Sequence, residues 1–171
     1  MNKRTQQISD GKKLPLVEEF FSLQGEGFHS GKAAYFIRLG GCDVGCNWCD
    51  SRFSWDPDLY PLVEVREIID KVLLSGTDSV VVTGGEPLIW NLDLLCSCLK
   101  KNNISTFIET SGAYPLSGEW DWICLSPKKS MPPSGAICKL ADELKIIIEE
   151  HDDFKWAKNE WPTRLGLPIN A

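Results

Sequence analysis

Apolar positions along the chain change spacing in a regular order, and that order predicts strands alternating with helices. AAYFIRL, residues 33–39, is a short apolar run closed by Gly40 and Gly41, the pattern of a strand. From Pro61 to Leu74, the residues Leu62, Val65, Ile69, Val72 and Leu73 share one helical stripe, with proline at its start and Gly76 just beyond. SVVVT, residues 79–83, is an unalternated run that stops at Gly84 and Gly85, which suits a strand buried on both faces. Leu88, Leu92, Leu95 and Leu99 mark a second helical stripe. Strand candidates follow at residues 105–109, 122–125 and 144–148. Such alternation predicts a mostly parallel sheet with right-handed crossovers.

Polar or glycine-rich motifs recur where these strands stop: GGC, TGGEP, ETSG and SPK. Ligands in α/β sheets and barrels sit beyond the carboxyl ends of the strands, so the four motifs are expected to converge on one site. The chain is too short for eight strand–helix repeats. It is therefore expected to form an α/β fold, an incomplete TIM-like barrel of about six mostly parallel strands. One domain over residues 1–171 is expected, with a flexible N-terminal segment at 1–15 and an atypical C-terminal tail at 149–171.

With 171 residues, 43% of them hydrophobic and 25% charged, the chain is long enough for one core. A net charge of −6 argues against direct nucleic-acid binding, which calls for clustered Lys and Arg. The first fifteen residues lack an apolar core of signal-peptide length, and no segment is long enough to cross a bilayer; a cytoplasmic protein with no membrane partner is expected. Seven cysteines is an odd number, and three lie within eight positions, which suits a reducing compartment and metal ligation. Cys96 and Cys98 are two apart in an expected helix and face different ways; with Cys124 and Cys138 they read as small core residues.

Those three, Cys42, Cys46 and Cys49, are spaced C-x3-C-x2-C. Iron–sulfur cubanes are normally held by four cysteines, so three leave one iron open to a substrate or cofactor. A structural zinc site is the alternative, but it needs a fourth Cys or His, and Asp43, Asp50 and His29 are poor substitutes at these offsets.

The spacing, with Trp48 directly before the third cysteine, resembles the radical S-adenosylmethionine (SAM) enzymes. LQGEG, RLGGC, CNWCDS, TGGEP, ETSG and SPK, in this order over roughly residues 17–148, further resemble the 7-carboxy-7-deazaguanine synthase family. The resemblance implies a carbon–nitrogen lyase of 7-deazapurine and queuosine biosynthesis. Such an enzyme converts 6-carboxy-5,6,7,8-tetrahydropterin to 7-carboxy-7-deazaguanine with loss of ammonia. It also implies a [4Fe-4S] cluster, SAM and Mg2+ as cofactors, a flavodoxin-type or other reductant, and a homodimer. A 5′-deoxyadenosyl radical would take a hydrogen from the pterin, and SAM would be regenerated.

Carried over residue by residue, the resemblance places Cys42, Cys46 and Cys49 on the cluster. It assigns Leu23, Gln24, Gly25, Glu26, Arg38 and Thr83 to substrate. Trp48, Cys49, Asp50, Gly85, Glu86, Ser126, Pro127 and Lys128 fall to SAM, with a carbonyl or carboxylate of the GGE motif accepting from its ammonium. Arg38 suits a carboxylate clamp, since its planar fork matches a carboxylate bidentately; a salt bridge is the plainer reading. Thr83 reads equally as a β-former, and Gly84–Pro87 as a strand-to-helix turn. Ser51 departs from the family's usual Thr, yet keeps the oxygen that would ligate Mg2+.

The family's later SAM-contacting segment and terminal proline are not found after Ile148, so the chain reads as shortened at its C-terminus. Two further readings stay open: a glycyl-radical-enzyme activating protein and a non-catalytic metal-binding module.

Overall fold

Residues 10–164 are described by the computed structural model. Seven strands, β1 (Lys13–Leu23), β2 (Ala33–Leu39), β3 (Leu62–Glu64), β4 (Ser79–Gly84), β5 (Ser105–Thr110), β6 (Trp122–Leu125) and β7 (Glu143–Leu144), form one sheet. Their order is β3-β1-β2-β4-β5-β6-β7. The stretch from β2 to β7 is parallel throughout, whereas β1 runs antiparallel to both β2 and β3. The helices are α1 (Val65–Ser75), α2 (Asp93–Lys101), a single turn α3 (Gly135–Cys138) and α4 (His151–Arg164).

The period of two along the strands divides the sheet into two faces. Tyr35, Ile37, Leu39, Val80, Val82 and Ile108 pack into the main core with Ile68, Val72, Leu95 and Leu99 of α1 and α2. A smaller cluster of Ala34, Val81 and Phe107, flanked by Phe36 and Trp122, occupies the other face. Both faces are thus apolar over most of their length, which accounts for the unalternated VVV run.

The expected α/β, mostly parallel sheet is found, with seven strands, because β1 and β3 join the five read from the sequence. Three expectations are corrected. The N-terminal boundary at residue 15 moves, since Lys13, Leu14 and Pro15 pair with Glu64, Val63 and Leu62; residues 1–9 lie outside the described residues. The first helix begins at Val65 because Leu62 is drawn into β3, and its buried stripe is Val65, Ile68, Ile69 and Val72. Leu73 from the expected stripe is 44% exposed. Finally, β7 ends at Leu144 and not at Ile148. Its neighbour β6 stops at Leu125, which pairs with Leu144, so residues 146–148 have no strand alongside to extend the ladder.

Residues 151–164 of the C-terminal tail form a helix docked on the core, and residues 165–171 lie outside the described residues. Trp161 is 1% exposed within the main cluster, where Trp156 also packs. Asp153 binds the Lys129 ammonium and accepts from the backbone N–H groups of Glu149 and Glu150, each at 2.8 Å. This ties the start of α4 to the segment that follows β6.

Candidate active site

Inner-face residues at the carboxyl ends of three parallel strands form one polar row. Arg38 of β2 is paired with Thr83 of β4, and Thr83 Oγ1 donates to Glu109 Oε2 of β5 at 3.2 Å. Parity explains the row: residues 34, 36 and 38, 81 and 83, and 107 and 109 share a face whose lower layer is Ala34, Phe36, Val81 and Phe107. The row floors a cleft of about 740 Å3, within the range of ligand-binding clefts.

Cys42, Cys46 and Cys49 line the same cleft. Their loop leaves β2 at Gly40 and is held by its backbone: Gly41 N–H donates to Ser54 O at 2.7 Å and Cys42 N–H to Trp55 O at 3.0 Å. The loop also rests on the turn after β4, with Gly85 N–H donating to Leu39 O at 2.9 Å and Glu86 N–H to Gly41 O at 2.8 Å. The packing there is glycine on glycine, because a Cβ at Gly85 would sit 2.2 Å from Gly41 O and 2.9 Å from Cys42 Cβ.

The Cys49 sulfur accepts from Trp55 Nε1 at 3.3 Å and lies 3.6 Å from Ser51 Oγ. Burial pushes the Cys42 and Cys46 thiols above their ordinary range, with repulsion from Glu86 adding at Cys42. Bound cationic iron would reverse that tendency and hold the thiolates. Among the described residues, no three His, Cys, Asp or Glu side chains gather closely enough for a single metal ion. A cubane binds each cysteine through a different iron and does not need that convergence. Three thiols facing one roomy cleft, beside a glycine edge with no side chain in the way, fit a cluster with an open iron.

The remaining residues read from the sequence distribute as follows. Leu23 ends β1, Gln24, Gly25 and Glu26 open the β1–β2 loop, and all four line the cleft, as do Trp48, Asp50, Ser51, Gly85, Glu86, Ser126 and Lys128. Pro127, between them in sequence, is buried and is not among the lining residues. Lys128 donates to Ser126 O and Oγ, both at 2.6 Å, and its ammonium lies 5.1 Å from the centre of the Trp48 ring. Burial lowers the Lys128 pKa, against the attraction of Cys46 and Glu86.

Two roles shift. Arg38 uses Nε to donate to Glu18 at 2.7 Å, so the salt bridge expected as the plain reading exists. Its two terminal nitrogens have no protein acceptor among the described residues, and the side chain lines the cleft. Glu86 is 1% exposed: Oε1 accepts from Leu88 N–H and the Thr110 hydroxyl, and Oε2 from Ser111 N–H and hydroxyl. Two donors at each oxygen fill the carboxylate's capacity, so it braces TGGEP against ETSG and leaves the glycine backbone as the edge offered to a ligand.

Glu109 and Lys145 were not singled out from the sequence. Glu109 carried a signal, being the charged member of its strand at the same parity as its neighbours Arg38 and Thr83. Lys145 carried little, a lone cation in ELKIII.

An incomplete parallel barrel with a three-cysteine loop after its first parallel strand defines a radical SAM protein, and residues 36–124 match the family model described as the radical SAM superfamily. The chain is 49% identical over 153 residues to a 7-carboxy-7-deazaguanine synthase of Flavobacterium psychrophilum, covering 90% of this chain and 72% of that one. It is 49% identical to the synthase of Synechocystis sp. over 146 residues, 85% of this chain and 70% of the relative. The crystal structure of QueE from Escherichia coli superposes with a TM-score of 0.80 at 28% identity, covering 95% of this chain and 82% of that one. The chain belongs to the 7-carboxy-7-deazaguanine synthase family. Membership of the radical SAM superfamily brings with it a [4Fe-4S] cluster and SAM.

Proposed function

We propose that this chain converts 6-carboxy-5,6,7,8-tetrahydropterin to 7-carboxy-7-deazaguanine with loss of ammonia, as a step of 7-deazapurine and queuosine biosynthesis. The observation that carries the proposal is the shared cleft. One wall holds three cysteines and a bare glycine edge; its floor holds a row of Arg38, Thr83 and Glu109 that matches a small polar substrate. The family's name gives the product, and the carboxypterin is the substrate that the sequence resemblance implies.

The cluster with SAM supplies one-electron cleavage of the sulfonium and a carbon radical when bound. The chain's own residues do the positioning. Cys42, Cys46 and Cys49 would each hold one iron of the cluster. Trp48, Asp50, Gly85, Ser126 and Lys128 line the side of the cleft assigned to SAM, where the glycine backbone permits close approach. Arg38's free terminal nitrogens suit the pterin carboxylate, and a fixed fork restricts its rotation. Thr83, Glu109 and the Gln24–Glu26 segment present acceptors and donors to the amino-pyrimidine edge.

Ser51 Oγ, beside Cys49, would supply a hydroxyl ligand to Mg2+, since a hard cation prefers such oxygens. A flavodoxin-type or other reductant recharges the cluster. The protein is proposed to be cytoplasmic and homodimeric, a second subunit covering an exposed edge of the sheet. Among the described residues, no helix is long and apolar enough to cross a membrane.

The decisive experiment is anaerobic reconstitution with iron and sulfide, then incubation with SAM, Mg2+, reductant and the carboxypterin. Formation of the deazaguanine, absent in Cys42→Ala, supports the proposal. SAM cleavage without pterin turnover would point to an activating enzyme, and a tetrahedral zinc atom in place of iron would end the enzymatic reading.

A further inference from the structure

Beyond the cysteines, the cleft holds one concentration of charge: Glu26, Glu109 and Lys145. They come from three places in the chain. Glu26 sits on the β1–β2 loop, Glu109 near the end of β5, and Lys145 just past β7. Lys145 Nζ lies 2.6 Å from Glu26 Oε1 and 3.5 Å from Glu109 Oε2, and Glu109 Oε2 also accepts from Thr83 Oγ1 at 3.2 Å. The Lys145 backbone is fixed as well, its N–H donating to Leu125 O at 2.9 Å. One ammonium therefore faces two carboxylates that would otherwise repel each other.

Their exposures separate their roles. The Glu26 side chain is 67% exposed and has little reason to stay over the sheet on its own, whereas that of Lys145 is 24% exposed. A salt bridge at an open surface contributes little, but one at the wall of a cleft fixes where a mobile carboxylate points. The loop has a second tether on the same side: Phe28 N–H donates to Glu143 Oε1 at 3.2 Å, and Trp122 Nε1 donates to Glu143 Oε2 at 3.0 Å. Lys145 thus continues, on the cleft side, a seam between the β1–β2 loop and the β6–β7 edge.

We propose that Lys145 is a positioning residue for the pterin: it draws Glu26 over the sheet and holds it beside Glu109, so that two carboxylates face the donor-rich amino-pyrimidine edge. This inference rests on the function proposed above. A carboxylate accepts two parallel N–H bonds from such an edge, the same geometry by which it accepts a guanidinium. Lys145 pairs with the carboxylates of Glu26 and Glu109 and is not among the residues assigned to SAM. Its loss should weaken pterin binding while leaving SAM affinity intact. Discrimination between pterins that carry and lack the 2-amino group should fall with it, because a loose Glu26 no longer penalises a missing donor.

The test uses the full chain, anaerobically reconstituted, with calorimetric affinity for the carboxypterin and for SAM measured separately from turnover. Lys145→Met is expected to weaken pterin affinity by about tenfold or more, the scale of a hydrogen bond to a charged group, with KM rising in parallel and SAM affinity within about twofold. Lys145→Arg should restore most of it. If Lys145→Met fails to load iron, Glu26→Gln serves instead and is expected to weaken pterin affinity by a similar factor with SAM affinity within about twofold; where Lys145→Met does load, combining the two should cost little more than either change alone. Pterin affinity unchanged in Lys145→Met, against measurable binding by the parent, overturns this inference and leaves the proposed function standing. No pterin binding by the parent removes both.

Discussion

Glu86 and Ser111, twenty-five positions apart, meet in the interior, where the carboxylate accepts from both the backbone N–H and the hydroxyl of the serine. With Thr110 and Leu88 supplying the other donors, the acid is fully engaged inside the protein. Glu86→Ala should therefore lower unfolding stability by about 3 kcal/mol or more, since several buried donors lose their acceptor together. Urea denaturation of the cluster-free protein measures it. A loss under about 1 kcal/mol would return Glu86 to the role of a ligand contact.

Gly85→Ala should detach cluster assembly from folding. The new Cβ would run into the Gly41 carbonyl and Cys42 Cβ, so the cysteine loop must shift while the helices beneath it need not. The expected cost to stability is about 1–3 kcal/mol, with iron and sulfide per chain after reconstitution clearly reduced. Normal iron content with a normal cluster spectrum would show that the two loops yield without consequence.

Ser51→Ala removes the hydroxyl beside Cys49 without changing the loop's backbone contacts. Turnover should lose its stimulation by Mg2+, and Ser51→Thr should keep it. If Mg2+ titrations of the alanine variant overlay the parent, the metal role of Ser51 falls.

Asp153 gives the acid limb of stability a specific source. Its carboxyl is held down to about 2, from an ordinary 3.8, by the hydrogen bond from Lys129 and then by the N–H groups of Glu150 and Glu149. Because the folded value is the lower one, the stabilisation is complete above the ordinary value and is lost as pH falls through about 2. Asp153→Asn should be weaker than the parent near neutrality, and the two should converge in strong acid. Urea midpoints taken across this window would refute the assignment if the gap stayed constant.

Trp161→Ala should cost about 3–5 kcal/mol, the range for truncating a buried aromatic, because the indole completes the main core. A shift in midpoint below about 1 kcal/mol would show that α4 contributes little to the fold.

Where one neighbour's chemistry sufficed, structure was legible in the residues. Ala33–Leu39 and Trp122–Leu125 are bounded by abrupt changes of composition and fall where the pattern put them. The three cysteines were legible because ligand number and spacing are properties of the chain itself. β1 was not, since Pro15, Glu18 and Glu19 break its alternation and its extension depends on two partners, one of them β3. Lys145 was illegible for a related reason: its meaning arises from Glu26 and Glu109, which lie 119 and 36 positions away. Glu86 misled in the opposite direction. Its motif suggests a ligand, and only the fold shows four donors already filling its oxygens.

The joints between the cysteine loop and the segment after β4 are two main-chain hydrogen bonds, Gly85 to Leu39 and Glu86 to Gly41, and one from the Trp90 indole to Gly40 O. None of them uses a sulfur. Maturation should accordingly run in a fixed sequence, with polypeptide first and inorganic core second, because the cradle is shaped before any iron arrives. A cluster burnt off by oxygen could then be rebuilt in place by the cell's repair machinery, sparing the cost of making a new chain.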